Sequence, residues 1–224
     1  MAIGNVVVIG VFDGVHKGHQ LLLNRAKALS DGRSIIALTF DPHPMHVLAP
    51  SRAPSALTTL ADRVELLKIH SADQVAVLKF TKKFAEMSAE DFVKEVLVGQ
   101  LSASLVIVGK NFTYGHKASG NIESLIKDGA KFNFRVDVQD LEFGEGEVIT
   151  SSRIRSLITM GNVEEARKLL SRPHRLDGVV VHGEKRGREI GYPTANLGNL
   201  DGQTIPSDGV YAGWLTVGIN YWPS

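Results

Sequence analysis

The sequence predicts an α/β fold: a doubly wound parallel sheet with helices on both faces, followed by the start of an all-β unit. Three observations carry this. Short β-branched runs alternate with amphipathic helical stretches over most of the chain. Loops rich in histidine, glycine and asparagine follow the strands, where open α/β sheets bind their ligands. After Pro173 glycine and proline recur every few residues and the helical period is lost. The expected division is residues 1–172 and residues 173–224.

Taken in order, Val6 to Phe12 is a β-branched run suited to burial on both faces of a parallel sheet, and it ends at Asp13-Gly14. Leu21, Leu22, Ala26 and Leu29 mark a helix that Gly32 stops. Ser34 to Phe40 is a second strand. Asp41-Pro42-His43-Pro44 follows, where two prolines predict an extended, rigid loop. Thr59 to His70 reads as a surface helix with Leu60, Val64 and Leu67 inward. Gln74 to Phe80 is a third strand, and Ser88 and Asp91 form a capping-box-like pair opening a helix through Leu97. Leu105 to Val108 and Phe134 to Val138 are strands four and five. Thr150 to Met160 and Val163 to Leu170 are short helices split by Gly161-Asn162, and Leu176 to Gly183 opens the second unit with a strand.

Composition narrows the chemistry. Hydrophobic residues make up 43% and charged residues 22%, and the net charge is +1. No overall basic field draws in nucleic acid or anionic lipid, so phosphate binding requires a local site. With no cysteine, disulfides, thiolate metal sites and a cysteine nucleophile are excluded. Val6 to Val11 is too short to span a membrane and lacks the flanks of a signal peptide. A cytoplasmic protein without nucleic-acid or membrane partners is expected.

Two constellations carry the chemistry. In the first, Gly10, Phe12, Asp13, Gly14, His16, Gly18 and His19 take a strand through a glycine turn into a helix. Free N–H groups and the dipole at that helix start form a seat for phosphate. His16 and His19, three residues apart, can point into one cleft and stabilise charge on a phosphate under in-line attack. A capping or packing histidine and a zinc pair are the competing readings, though no third ligand converges. In the second constellation, Thr150, Ser151 and Ser152 precede a helix carrying Arg153 and Arg155, and hydroxyls, N–H groups and arginine can together hold phosphate oxygens. An ordinary N-cap with solvated arginines is the alternative.

His16-Lys17-Gly18-His19 and the Thr-Ser-Ser-x-x-Arg helix start resemble the nucleotidylyltransferase superfamily, giving a Rossmann-like domain. Thr39 to Pro44 and Gly109 to Gly115 resemble the flavin-specific loops of the bacterial bifunctional riboflavin kinase/FMN adenylyltransferase family, also called FAD synthetases. Thr150-Ser151-Ser152 departs from the family's Ser-Ser-Thr but keeps all three hydroxyls. The resemblance implies transfer of AMP from ATP to FMN. ATP would lie across the His16/His19 loop, with Ser151, Ser152 and Arg155 near its outer phosphates and magnesium bridging them. Asp41, His43, Pro44, Asn111 and Phe112 would line the FMN pocket. Simple packing serves nearly as well for Pro44 and Phe112, and Asp13 also suits a structural turn.

The second unit resembles the start of the family's riboflavin kinase barrel through Gly183, Gly187, Arg188 and the Pro193-Thr194-Ala195-Asn196 motif. There the glycines would wrap ATP phosphates, and Thr194 and Asn196 would be magnesium ligands. The family's acidic kinase base has no counterpart before Ser224, so kinase activity is not expected from these residues. Val210, Trp214 and Leu215 are expected to be uncovered, with a poorly ordered or self-associating end. Two other readings are a nucleotidylyltransferase for phosphopantetheine or glycerol phosphate, and a non-catalytic flavin- or nucleotide-binding regulator.

Overall fold

The structure is a computed structural model, and it describes residues 4–140, 143–144, 146–182, 195–218 and 220–223. The first unit runs β1 (Asn5–Ile9), α1 (Lys17–Leu29), β2 (Ile35–Asp41), α2 (Pro44–Leu48), α3 (Leu60–Ile69) and β3 (Gln74–Lys79). It continues with α4 (Lys82–Ala85), α5 (Ala89–Asp91), a π-helical run (Phe92–Gln100), β4 (Ala103–Gly109), α6 (Ile122–Phe132) and β5 (Arg135–Gln139). A short pair, β6 (Phe143–Gly144) and β7 (Glu147–Val148), leads to α7 (Ser151–Thr159) and α8 (Val163–Leu170).

The five long strands form one parallel sheet in the order β3-β2-β1-β4-β5. Side chains alternate across a strand, and the core divides accordingly. Val6 and Val8 face a cluster with Leu22, Leu23 and Ala26 of α1 and Leu67 of α3. Val7 and Ile9 face Val93, Val96 and Leu97 of the π-helical run and Leu125 of α6. A third cluster joins Leu57 to Ile154 and Ile158 of α7 and Leu169 and Leu170 of α8. The strand order reverses between β1 and β4, so the β1–α1 loop opens at the switch point where such sheets receive ligands.

Several expectations change. The first strand ends at Ile9 because Phe12 takes φ 55°, which no strand accepts. The proline loop is shorter than expected: Pro44 starts α2, as suits a residue with fixed φ and no N–H at a first helical position. Helix α3 is not simply a surface helix, since Arg63 is buried beside Leu67 while Val64 is only half-buried. The helix expected from Ser88 to Leu97 breaks into α5 and the π-helical run, where Leu101 N–H reaches the Val96 carbonyl five residues back. Helices α2, α4 and α6 add to those expected.

In the second unit β8 (Val179–Val181) pairs with β9 (Asn196–Gly198), and β10 (Trp214–Val217) pairs with β11 (Asn220–Pro223), both antiparallel. The strand expected from Leu176 to Gly183 is therefore only three residues long, and all three are exposed. Val210 and Trp214 are exposed as expected, Leu215 half-buried. The Trp214 and Tyr221 rings stack 4.7 Å apart across β10 and β11.

Candidate active site

The site begins with a backbone problem. Between β1 and α1 the chain must turn within seven residues, and it does so with positive φ at Phe12, Gly14 and Val15. At Gly14 (φ 84°) a Cβ would come within 2.8 Å of Leu57, so only glycine serves. Two other groups latch the turn. Arg172 donates to the Gly14 carbonyl at 2.7 Å, and the Gln20 amide donates to the carbonyls of Val15 and Leu170.

His16 is the N-cap residue of α1, but its side chain makes no capping hydrogen bond. Instead its ring stacks on His19, with centroids 3.7 Å apart and planes 20° apart. Phe12 lies fully buried, edge-on against His19 at 5.2 Å, and so supports the pair from below. Burial lowers the His16 pKa to about 4, with Arg155 and Arg172 pushing the same way and Asp13 opposing. Burial also holds His19 well below the ordinary histidine value, and His16 adds to it. Both imidazoles are therefore neutral at neutral pH. Each has a buried Nδ1 without a hydrogen-bond partner, a feature uncommon in relaxed interiors and frequent at reacting centres.

Asp13 joins the two constellations. Its carboxylate accepts from the N–H groups of Leu57 (3.0 and 3.1 Å) and Thr58 (3.2 Å), and it pairs with Arg155 Nη2. Its carbonyl accepts from Ser151 Oγ at 2.8 Å. Arg155 Nε also donates to the Ser55 carbonyl at 2.6 Å. Thr150 caps α7 by accepting from Arg153 N–H. Asp13, in the loop that leads into α1, thus binds α7 twice, through its carbonyl to Ser151 and through its carboxylate to Arg155, and the dipoles of both helix starts favour anions.

Next to this junction lies a cavity of about 350 Å³ lined by Val11, Asp13, His43, Arg52, Ser151, Ser152 and Arg155, among others. His43 caps α2 by accepting from Met45 N–H, and burial lowers its pKa. A second cavity of about 550 Å³ is mainly apolar, with Val47, Leu48, Phe80, Phe84, Met87 and Phe92 in its wall. Helix α2 separates the two, since His43 and Met45 line the first and Val47 and Leu48 the second.

The expected residues are distributed as follows. His16, Asp13, Ser151, Ser152, Arg155 and His43 converge. Gly10 sits against the Phe12 ring, and Gly18 lies in the first turn of α1. Asp41 ends β2 and lies 3.6 Å from Arg63, and Pro44 opens α2. Asn111 is exposed and Phe112 stacks on Tyr114 at 5.4 Å; neither lines the two cavities. Asn196 is exposed in β9, while Gly183, Gly187, Arg188 and Thr194 lie outside the described residues. Among the described residues no three His, Cys, Asp or Glu side chains are grouped as a metal site. Asp13, the buried carboxylate here, is already committed to N–H donors and Arg155.

Three arginines escaped the sequence reading. Arg63 donates to the Val11 carbonyl at 3.0 Å and pairs with Asp41; Arg172 latches Gly14; Arg52 enters the first cavity. A buried arginine on an amphipathic helix breaks the polar-outside pattern only in three dimensions, although Arg63 does stand four residues before Leu67, on the buried stripe.

The FAD synthetase family model matches residues 2–153, and the riboflavin kinase model matches residues 170–224. The chain is 40% identical over 213 residues to a bifunctional riboflavin kinase/FMN adenylyltransferase of Listeria monocytogenes, covering 94% of this chain and 67% of that protein. A protein of the same description from Buchnera aphidicola is 37% identical, covering 93% and 67%. A crystal structure named as a macrolide-efflux protein from Streptococcus pneumoniae superposes with TM-score 0.89 at 35% identity, covering all of this chain and 73% of that one. Among the described residues no helix is long and apolar enough to cross a membrane. The chain belongs to the family of bifunctional riboflavin kinase/FMN adenylyltransferases, enzymes of FAD biosynthesis.

Proposed function

We propose that the first unit transfers AMP from ATP to FMN, giving FAD and pyrophosphate. The supporting observation is the junction at Asp13, which brings the neutral His16/His19 pair at the start of α1 beside Ser151 and Arg155 at the start of α7. A phosphate oxygen of FMN attacks the α-phosphorus of ATP. The new P–O bond forms as the bond to the pyrophosphate oxygen breaks. No protein nucleophile is needed, because the attacking phosphate is already ionised at neutral pH; alignment and neutralisation of charge carry the rate. Neutral imidazoles donate N–H to phosphate oxygens, and Ser151, Ser152 and Arg155 hold the departing pyrophosphate. Magnesium, when bound with ATP, neutralises its phosphate oxygens.

The two cavities on either side of α2 support FMN as the acceptor. The His43 side of the polar cavity suits its phosphate, and the apolar cavity with Leu48, Phe84 and Phe92 suits its ring system. Asp41 at the end of β2 and Pro44 at the start of α2 adjoin His43 in the chain, while Asn111 and Phe112 follow β4 and line neither cavity. The kinase match over residues 170–224 supports riboflavin phosphorylation as the partner activity, in which Thr194 and Asn196 would be the magnesium ligands. An ATP-dependent enzyme without cysteine suits the cytoplasm. The exposed faces of Trp214 and Tyr221 favour self-association.

The test is incubation with FMN, ATP and magnesium, following FAD and pyrophosphate. Formation of both in equal amounts is expected. No FAD, with product formed from phosphopantetheine or glycerol phosphate instead, would sink the flavin assignment.

A further inference from the structure

Residues 55–57 are a crosspiece of the site, gripped from one side by the two groups of its central ion pair. The Ser55 carbonyl accepts from Arg155 Nε, and Leu57 N–H donates to both oxygens of Asp13. The opposite side is gripped by residues far along the chain. Ala56 N–H donates to the Gly202 carbonyl at 2.6 Å, and Thr204 N–H donates back to the Ala56 carbonyl at 2.8 Å, making a parallel bridge. Thr204 Oγ1 lies 3.0 Å from the Ala56 carbonyl and 2.8 Å from Ser55 Oγ.

This strap is itself anchored. Thr204 is 1% exposed, and its carbonyl meets His174 Nε2 at 2.7 Å. The Gln203 side chain exchanges two hydrogen bonds with the backbone of Asp177, at 2.9 and 2.6 Å. Arg175, between these anchors, pairs with Asp62 on α3 at 3.2 Å. A buried hydroxyl that meets both a side chain and a carbonyl fixes that carbonyl's position, and an unmade bond there is expensive. The Ser55 carbonyl directs Arg155, so displacing residues 55–56 displaces the guanidinium.

We propose that Thr204, a residue of the second unit, is a positioning residue for adenylyl transfer, acting through Ser55–Ala56 on Arg155. The proposal rests on the adenylyltransferase reading of this site. The second unit thereby completes the first unit's site without touching substrate.

Thr204→Val keeps the shape and removes the hydroxyl, while Thr204→Ser keeps the hydroxyl. FAD formation by Thr204→Val is expected to fall by about tenfold or more, since a misplaced catalytic group loses rate steeply, with Thr204→Ser close to the unaltered chain. Because the effect passes through Arg155, adding Thr204→Val to Arg155→Ala should cost less than about twofold further. Hydrogen exchange at Leu57 N–H reads the crosspiece without any activity and should quicken by about tenfold in Thr204→Val. If Thr204→Val folds poorly, Gln203→Ala loosens the same strap from its solvent side and should show both effects in weaker form. Full activity in Thr204→Val, a loss that multiplies with Arg155→Ala, or unchanged exchange at Leu57 would each overturn the proposal. Should the unaltered chain make no FAD, the flavin reading fails, and exchange at Leu57 together with ATP affinity in Thr204→Val and Thr204→Ser still decides the strap.

Discussion

His16 and His19 show how burial tunes a residue. Stacked on each other and shielded from solvent, both stay neutral near pH 7. His19→Ala should lower kcat for FAD formation by about a hundredfold or more while FMN KM changes little. An equal loss of FMN affinity would place His19 in ground-state binding instead. Burial also links His16 to stability. Its folded pKa is about 4 against 6.5 when unfolded, so as pH falls the unfolded chain takes up the proton first. The contribution is fully present above pH 6.5 and is lost as pH falls toward about 4. Urea unfolding should show a loss of up to ~3 kcal/mol over that window, and His16→Gln should remove that part of the slope.

At the scale of elements, α2 is the informative one. It is five residues long and contains no buried residue, so it is not held by a core of its own. Its ends line different cavities, and Leu48 stands 60% exposed at the wall of the apolar one. An exposed large apolar side chain in a concave wall marks a surface kept for a ligand. Leu48→Lys should therefore raise FMN KM by about tenfold or more, roughly the loss from one buried apolar contact, with ATP KM unchanged in steady-state kinetics. Matching increases in both would show that α2 supports the site as a whole and does not choose the acceptor. Helix α7 shows the same economy: Thr150 caps it, Ser151 ties it to the Asp13 carbonyl, and Arg155, one turn later, pairs with the Asp13 carboxylate.

Across the whole molecule stability is unevenly distributed. Val6 to Ile9 and Leu105 to Val108 are buried on both faces of the sheet, whereas β8 and β11 have only exposed side chains. Hydrogen exchange should find the first group opening only with global unfolding. Amides of β8 and β11 should exchange faster by orders of magnitude. Equal protection in both would mean that the second unit unfolds with the first as one cooperative body. Residues 202–204 are expected to exchange more slowly than the hairpins around them, because Thr204 is sealed against Ala56.

Much of this was legible in the sequence, for identifiable reasons. The inner strands β1, β2 and β4 appear as continuous apolar runs because they are covered on both faces, and the His-x-Gly-His loop is legible because its residues are close together in the chain. The proline loop was misread at Pro44, where one residue suits both an extended loop and a first helical turn. The π-helical run was missed because its apolar spacing also suits an α-helix. Arg63, Arg172 and Thr204 were invisible, since their partners Val11, Gly14 and Ala56 stand 52, 158 and 148 residues away. The sequence alone determined the fold class and the family, and it marked the turn between β1 and α1, all of which depend on residues close together in the chain. Only the tertiary structure decided that His16 and His19 are neutral, that Asp13 joins the two motifs, and that the second unit braces the first. Those properties come from burial and from contacts between distant segments, and no local pattern encodes them.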